Sequence, residues 1–176
     1  MVRAETASAS LRCLGLALLI AVLPGSSARA ADDPILSRLA GEWTGHGTYK
    51  QSADAAQERM FCKVTNTLVQ NGTALEQRGR CSVASGSGAI DGTITATGGG
   101  RYSGTLMSLA SEGPASFSGS GGGGRLTLSM TFVDAHTHAA AKGVTTMTLS
   151  GSGYHLVSTR NEGGKSWTPT DISFTK

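Results

Sequence analysis

The sequence predicts an all-β protein, a single antiparallel up-and-down barrel of about ten strands with a short N-terminal helix. Short segments rich in Thr, Val, Ile and aromatic residues alternate with Gly, Ser and Asn connectors. Two cysteines flank an Asn-Gly pair symmetrically, which is typical of a β-hairpin. Because closing a sheet of meandering strands removes its exposed edges, a closed barrel is favoured over a two-sheet sandwich.

Residues 1–30 have the pattern of a secretory signal peptide. Two arginines precede the apolar run Cys13–Leu23, which is too short to span a bilayer, and Ala28-Arg29-Ala30 is a small-residue cleavage signal. Since no second long apolar run follows, we expect no transmembrane segment in the mature chain. The sequence therefore predicts one barrel domain, residues 31–176, that is periplasmic or secreted, in a Gram-negative bacterium.

The charge balance gives no indication of a nucleic-acid partner. The chain has a formal net charge of +3, but three arginines and one glutamate lie in the leader. The mature chain is therefore almost neutral, whereas nucleic-acid-binding domains are usually basic.

Cys62 and Cys81 lie at equal distances in sequence before Asn71 and after Gly72. If these two residues form a type I′ turn, the cysteines face each other across one hairpin, within disulfide reach. An even number of cysteines in an exported chain also favours a disulfide. We therefore predict a disulfide between Cys62 and Cys81.

The helix should begin at Asp33-Pro34, because Asp is a good N-cap and Pro fits the first helical position. Its apolar side is Ile35, Leu36 and Leu39, and Gly41 should end it. We expect it to plug or cap one barrel end; the alternative is packing against the outside. The strands are predicted at residues 42–50, 57–70, 73–84, 88–96, 101–109, 114–120, 125–133, 143–151, 153–161 and 167–175.

The cysteine hairpin indicates which side chains face the barrel interior. One of its faces is mostly apolar and carries the cysteines, while the other is charged. The inward pair Asn66 and Gln77 is either a hydrogen-bonded layer or a ligand-orienting pair. The predicted cavity lining is Met60, Val64, Asn66, Leu68, Leu75, Gln77, Gly79 and Val83.

Glycines inside strands have two interpretations that do not exclude each other, backbone kinks that let a barrel close and space left by missing side chains. Aromatic residues make up only 5% of the chain, so few large side chains can fill a ten-stranded barrel. We therefore expect an interior void that suits a fatty acyl chain or a similar amphiphile. Filling it by Gly79→Leu or Gly92→Leu should abolish binding and leave the fold intact.

Residues 41–47, which follow the helix and open the first strand, read GEWTGHG, or G-x-W-x-G-x-G. This motif resembles the start of calycin barrels, meaning lipocalins and their fatty-acid-binding-like and nitrobindin-like relatives. Two further motifs follow along the chain, E-x-x-x-C from Glu58 to Cys62 and Arg80-Cys81. This order of motifs is similar to that of exported alphaproteobacterial proteins of unknown function. The resemblance implies a ten-stranded barrel in which Trp43 packs across one end.

Asp134, His136 and His138 form the one metal-like cluster in the sequence. Alternate residues of an extended segment point the same way, so the three could converge on Zn²⁺ or Cu²⁺. They fall in a connector, however, and three ligands from one loop make a weak site. We expect a solvated polar loop and no bound metal.

Two further histidines lie on predicted strands. The nitrobindin resemblance would make His155 a haem ligand, but Tyr154 and Leu156 are the expected inward pair, which turns His155 outward. His46 is expected to be structural or exposed. The sequence therefore predicts no cofactor.

Lys63, Arg78 and Arg80 should cluster on the outer face of the cysteine hairpin. They would form either an anion-attracting patch or an ordinary solubilising surface.

The sequence presents no catalytic arrangement. It has no G-x-S-x-G motif, no free thiol in the mature chain and no carboxylate pair on one inward face. We therefore expect a protein that is not an enzyme and that binds or carries a small, partly apolar ligand inside the barrel. The alternative is an envelope interaction protein, inhibitor-like or a scaffold, that acts through its surface without a cavity.

Overall fold

The structure, a computed structural model, describes residues 32–176. The predicted signal peptide, residues 1–30, lies outside the described residues. Within 32–176, no helix is long and apolar enough to cross a membrane.

One short helix, one 3-10 turn and ten strands follow each other along the described chain. Their bounds are α1, Pro34–Leu39; β1, Gly41–Tyr49; β2, Glu58–Val69; the 3-10 turn, Gln70–Gly72; β3, Ala74–Val83; β4, Gly86–Gly98; β5, Arg101–Met107; β6, Ala115–Gly122; β7, Arg125–Val133; β8, Ala140–Ser150; β9, Gly153–Glu162; and β10, Lys165–Thr175.

The ten strands form a closed barrel in sequence order, with every neighbouring pair antiparallel. Closure is made between β1 and β10, where Gly45 faces Phe174 and Gly47 faces Ile172. The predicted fold class is therefore confirmed, and the two-sheet sandwich is excluded. The strand bounds differ by a few residues from the prediction, most at β8, which begins at Ala140.

The helix plugs one end of the barrel. Its N-cap is Asp33, whose Oδ1 accepts hydrogen bonds from the backbone amides of Ile35 and Leu36 at 3.0 Å each. Its three apolar side chains are at most 4% exposed and belong to the barrel core: Ile35, Leu36 and Leu39. The alternative of a helix on the outside is therefore excluded. We call this end of the barrel the helix end.

Tyr102 anchors the helix cap to the barrel wall. Its hydroxyl donates to both carboxylate oxygens of Asp33, at 3.1 and 3.0 Å. Burial, followed by this hydrogen bond and the Asp33 charge, raises the pKa of Tyr102 to about 12. The phenol therefore stays protonated and remains a donor at neutral pH.

The hairpin of β2 and β3 has the predicted register. Cys62 faces Cys81, Asn66 faces Gln77, and the two cysteines form a disulfide. The inward face of the hairpin is the one that carries the disulfide, since both cysteines are at most 4% exposed.

In the turn of this hairpin, Asn71 and Gly72 have the predicted positive φ values, 54° and 80°, and the Thr73 amide donates to the Gln70 carbonyl at 3.3 Å, as in a type I′ turn. The loop is nevertheless longer than the two residues predicted. Strand pairing ends at Val69 and Ala74, and Gln70 has a positive φ of 51° in addition to Asn71 and Gly72. The loop is therefore residues 70–73. The Gly72 carbonyl accepts a hydrogen bond from the Asp33 amide at 3.0 Å, so the turn is bonded to the residue that caps the helix.

The strand glycines Gly79 and Gly92 are points of close backbone approach. A Cβ at Gly79 would lie 2.2 Å from the carbonyl oxygen of Lys63, and one at Gly92 would lie 2.2 Å from that of Thr105. These close approaches support the interpretation of both glycines as points of barrel closure, and Gly92 also lines the interior cavity described below. The expectation that Gly79→Leu or Gly92→Leu would fill a void and leave the fold intact is wrong, since either side chain would push neighbouring strands apart.

Candidate binding cavity

The barrel interior contains a cavity of about 140 Å³. It lies between the middle of the barrel and the end opposite the helix, and apolar side chains from most of the strands line it, including Val64, Ile94, Phe117, Leu128, Met147 and Ile172. An engineered cavity of about 150 Å³ holds a benzene-sized molecule, whereas drug-sized ligands occupy roughly 300–1,000 Å³. The void is therefore too small for a long fatty acyl chain, which corrects that part of the expectation.

Three long connections lie at the end of the barrel opposite the helix. They are residues 50–57, 108–114 and 134–139, and we call this the loop end. Leu109 and Ala110 contribute apolar surface to the cavity from the second connection. The second and third connections are joined by backbone hydrogen bonds, from Glu112 to Val133 and from Ala135 to Ala110. The second connection therefore forms part of the cavity wall at the loop end and is bonded there to the third.

At the helix end, three polar side chains and the carbonyl of Leu39 form a hydrogen-bonded layer. The carbonyl oxygen of Leu39 accepts from Trp43 Nε1 at 2.7 Å and from Asn66 Nδ2 at 2.8 Å. Gln77 Nε2 donates to Asn66 Oδ1 at 3.0 Å. Of the two interpretations of the Asn66–Gln77 pair, the geometry supports the structural layer, because Asn66 is directed at the end of the helix.

Trp43 lies across the helix end, as the calycin resemblance implies. It is 4% exposed and packs edge-on against Tyr154, with ring centroids 4.9 Å apart. Burial raises the pKa of Tyr154 well above its ordinary value, so its phenol stays neutral. The cavity therefore ends against a layer of aromatic rings on this side.

The residues predicted to line the cavity separate into two groups. Met60, Val64 and Gln77 line it. The other five do not, because the hairpin spans the full barrel height and the cavity occupies only part of that height. Asn66 and Leu75 are buried in the layers beneath the helix, and Leu68 and Val83 lie near the two ends of the hairpin. Gly79 is a point of close backbone contact between strands and does not line the cavity.

A buried ion pair lies at the loop end. Arg160, on β9, donates from Nη1 to Asp134 Oδ2 at 2.5 Å, and the two side chains are 8% and 5% exposed. The second terminal nitrogen of Arg160 contacts Glu162 Oε1 at 2.5 Å, and Glu162 is 44% exposed. One cation therefore faces two carboxylates beside the cavity.

Asp134 is ionised in this setting. Burial would raise the pKa of its carboxyl, but the hydrogen bonds from the Thr137 backbone and from Arg160 outweigh burial and hold the pKa below its ordinary value. Asp134 Oδ1 also accepts from the backbone amide of His136 at 3.0 Å. One carboxylate oxygen therefore accepts hydrogen bonds from backbone amides of its own loop, and the other oxygen binds Arg160.

Two aromatic rings hold the guanidinium of Arg160. Its Cζ lies 5.3 Å from the ring centroid of Phe132 and 5.1 Å from that of Trp167. This packing fixes the guanidinium at the edge of the cavity, which Arg160 and Phe132 both line.

The structure does not bring the metal candidates together. Asp134 is directed at Arg160, His136 Nδ1 lies 3.2 Å from Gln51 Nε2, and His138 Nδ1 lies 2.7 Å from Glu112 Oε2. Among residues 32–176, no group of three His, Cys, Asp or Glu side chains is placed to hold a metal ion. The hydrogen bond and the charge of the Glu112 carboxylate raise the pKa of His138, and both side chains are exposed.

The two remaining histidines lie on the outer surface. His155 is exposed, and its Nε2 lies 2.6 Å from Asp171 Oδ1 on the neighbouring strand β10. His46 is exposed and packs against the Phe61 ring, with centroids 5.0 Å apart. Neither side chain lines the cavity, so the haem-ligand interpretation of His155 is not supported.

The basic residues on the outer face of the hairpin are exposed, but two of them already have partners. Arg78 lies within 4.0 Å of the carboxylates of Glu76 and Asp91. Arg80 donates to Ser87 Oγ at 2.9 Å. The geometry therefore favours the solubilising surface over an anion-attracting patch.

Sequence reasoning missed Arg160. The alternation of β9 indicates that Arg160 faces the barrel interior, because it lies on the same face of the strand as Tyr154, Leu156 and Ser158. A charged residue at an inward position of a barrel strand indicates a buried partner. That partner, Asp134, was recognised only as a metal candidate.

No family model matches the chain, and no curated protein resembles it significantly in sequence. The closed ten-stranded antiparallel barrel is compatible with a calycin-like fold.

Proposed function

We propose that this protein is an exported β-barrel that binds a small, partly apolar molecule in its interior and catalyses no reaction. The observation that carries the proposal is the apolar cavity of about 140 Å³, bounded by the helix end on one side and by the loop end on the other. Filled interiors are the rule in small barrels, where close packing leaves few voids larger than a water molecule.

The size of the cavity limits the ligand. A molecule of roughly six to nine non-hydrogen atoms, such as a substituted aromatic ring or a short branched chain, fits the volume that holds benzene elsewhere. Since very small ligands gain at most about 1.5 kcal/mol per non-hydrogen atom and usually much less, we expect dissociation constants between roughly micromolar and millimolar.

The proposed location outside the cytoplasm rests on two features. The leader has the composition of a secretory signal, and the Cys62–Cys81 disulfide is of a kind that persists in oxidising compartments. We propose the periplasm or the extracellular medium of a Gram-negative bacterium, a location that the motif resemblance to exported calycin-like proteins also favours.

The binding proposal can be tested by ¹⁹F NMR with fluorobenzene and the mature chain. The wild type should bind saturably, at about one molecule per chain. Ala115 is buried and lines the cavity, so Ala115→Leu should fill part of the cavity and weaken binding at least about tenfold. Ser116→Leu, at the neighbouring exposed position, is the matched control and should bind as the wild type does.

Thermal unfolding of both variants separates filling from misfolding. If a folded wild type shows no saturable binding, the cavity is not a ligand site and the surface-acting alternative replaces this proposal. Equal binding by the wild type and a folded Ala115→Leu variant would place the probe outside the cavity and would contradict it as well.

A further inference from the structure

Four residues with side-chain hydroxyls lie side by side on one part of the cavity wall. Thr145 on β8 faces Ser158 on β9 in the barrel register. Ser158 in turn faces Thr170 on β10, and Thr170 faces Tyr49 on β1. Paired residues of neighbouring antiparallel strands point to the same face, with Cβ atoms about 4.5–5.5 Å apart. All four residues line the cavity, and we call them the hydroxyl row.

Strand alternation shows that the hydroxyl row faces the barrel interior. Residues two apart on a strand share a face. Ile172, two residues after Thr170, and Met147, two residues after Thr145, both belong to the buried core. Thr145 and Tyr49 are themselves only 5% and 7% exposed. The row therefore forms part of the inner wall and not of the outer surface.

The first two hydroxyls of the row are bonded to each other. Thr145 Oγ1 lies 2.9 Å from Ser158 Oγ, and it donates to the sulfur of Met130 at 3.1 Å. Both hydroxyls are therefore held in fixed positions on the wall. Since a hydroxyl oxygen can accept two hydrogen bonds, this pair still has acceptor capacity.

The other two hydroxyls, those of Tyr49 and Thr170, are free and accessible. Neither makes a hydrogen bond to a residue within 32–176, and yet neither is among the fully buried side-chain atoms of that range without a partner, which are Ser37 Oγ, Arg160 Nε and Trp167 Nε1. Both hydroxyls therefore retain accessible surface. Because both residues face inward and line the cavity, a ligand there can reach them.

The wall opposite the hydroxyl row is apolar. β4 and β5 lie five strands away from β9 and β10 around the closed barrel. These two strands contribute Ile90, Ile94 and Leu106 to the cavity, and Leu109 follows from the second connection. The cavity therefore has one polar side and one apolar side, which suits an apolar body with a polar group at one edge.

A ligand hydroxyl matches this wall better than a carboxylate or a hydrocarbon does. Burial, and then the charge of Asp134, raise the pKa of Tyr49, so its phenol is a donor at neutral pH. A carboxylate would lose its hydration, and the guanidinium of Arg160 is already paired with Asp134 and Glu162. A hydrocarbon would cover the free hydroxyls without giving them a partner, which is unfavourable.

We propose that the hydroxyl row recognises a hydroxyl group on the ligand, so that the barrel binds small neutral alcohols or phenols with their apolar body against β4 and β5. The inference rests on the proposed function and names the ligand class for the same cavity. A ligand hydroxyl can accept from one member of the row and donate to another.

Phenol and toluene test the proposal, because they have the same shape and differ only by a hydroxyl in place of a methyl group. Their binding to the mature wild type is measured by ligand-observed NMR at pH 7, where phenol is neutral. Phenol should bind at least as tightly as toluene, whereas a purely apolar wall would favour toluene by about tenfold or more. The phenol protons next to the hydroxyl should show NOEs to the Thr170 methyl group.

Two variants locate the origin of the preference. Tyr49→Phe and Thr170→Val each remove one free hydroxyl, keep the shape of the side chain and break no hydrogen bond within the described chain. Each should lower the ratio of phenol affinity to toluene affinity by about fivefold, the worth of one hydrogen bond. Thr148→Val, at an exposed position of β8, is the matched control and should leave the ratio unchanged.

The outcomes separate this inference from the proposed function. If toluene binds the wild type more tightly than phenol does, the hydroxyl row is only structural and the inference is overturned, while the cavity still binds ligands. If phenol is preferred but the ratio is the same in both folded variants, the preference arises elsewhere and the inference is also overturned. If neither compound binds, the inference and the proposed function fail together.

Discussion

The indole nitrogen of Trp43 donates a hydrogen bond to the carbonyl oxygen of Leu39 at 2.7 Å. Leu39 is the last residue of the helix, and Trp43 lies on the first strand of the barrel. Together with the hydrogen bond from Asn66 Nδ2, this contact satisfies a carbonyl that the end of the helix leaves unpaired, and it places the ring across the barrel end. The G-x-W motif therefore couples the helical plug to the barrel wall.

Truncation of this ring should be costly. We expect Trp43→Ala to lower the free energy of unfolding by about 3–5 kcal/mol, as for other buried aromatic residues, and Trp43→Phe to lower it less because the packing is partly kept. Trp167→Ala should cost less than Trp43→Ala, since Trp167 packs outside the main core cluster and its indole nitrogen has no partner among the described residues. Urea unfolding of the three variants measures the differences, and equal, small losses for both alanine variants would contradict the assigned role of Trp43.

The disulfide should contribute substantially to stability. It joins residues that are 19 apart in sequence, and closing a loop of this size is worth about 3 kcal/mol. We expect a reductant to lower the melting temperature of the wild type and to have no effect on a Cys62→Ala/Cys81→Ala variant, which should retain the β-sheet signal in circular dichroism. Titration of free thiols in the native, unreduced protein would show that the bond is not formed.

The Asp134–Arg160 pair should make stability depend on acid pH. We expect Asp134→Asn to destabilise the protein by about 3 kcal/mol at pH 7, because it leaves Arg160 buried without its closest carboxylate. The folded pKa of Asp134 lies below the unfolded value of about 3.9, so the stabilisation is complete above that value and is lost as pH falls through the folded pKa. The difference in unfolding free energy between wild type and variant should therefore shrink below about pH 4.

Ser129→Ala, an exposed substitution on β7, serves as a control for this pH dependence, since it removes no charge and should follow the wild-type profile. A difference between wild type and Asp134→Asn that stays constant from pH 7 to pH 3 would contradict the role of the ionised pair.

Much of the fold could be predicted because its signals are local. Period-two alternation and Gly-rich connectors located the strands, and the paired cysteines around Asn71-Gly72 fixed the register of one hairpin. The positive φ of Asn71 and Gly72 could be predicted in the same way, whereas that of Gln70 could not, because no local sequence signal indicates it.

The candidate site was harder to predict. The low aromatic content indicated a void, but its volume depends on how side chains from all ten strands pack, which alternation alone does not specify. The partnership of Arg160 with Asp134 joins β9 to the connection after β7, and only the closed barrel brings them together. The alternation of β9 shows that Arg160 faces inward without showing what it meets.

The central claim, that the barrel holds an empty, apolar site for a small ligand, is tested most directly by a crystal structure of the mature protein under xenon pressure. Xenon occupies dry apolar cavities of this size. We predict one strong xenon peak inside the barrel, near Phe117, Leu128 and Met147, and a weaker peak or none in crystals of Ala115→Leu. A wild-type structure with no internal xenon, or with the interior filled by rearranged side chains, would contradict the account.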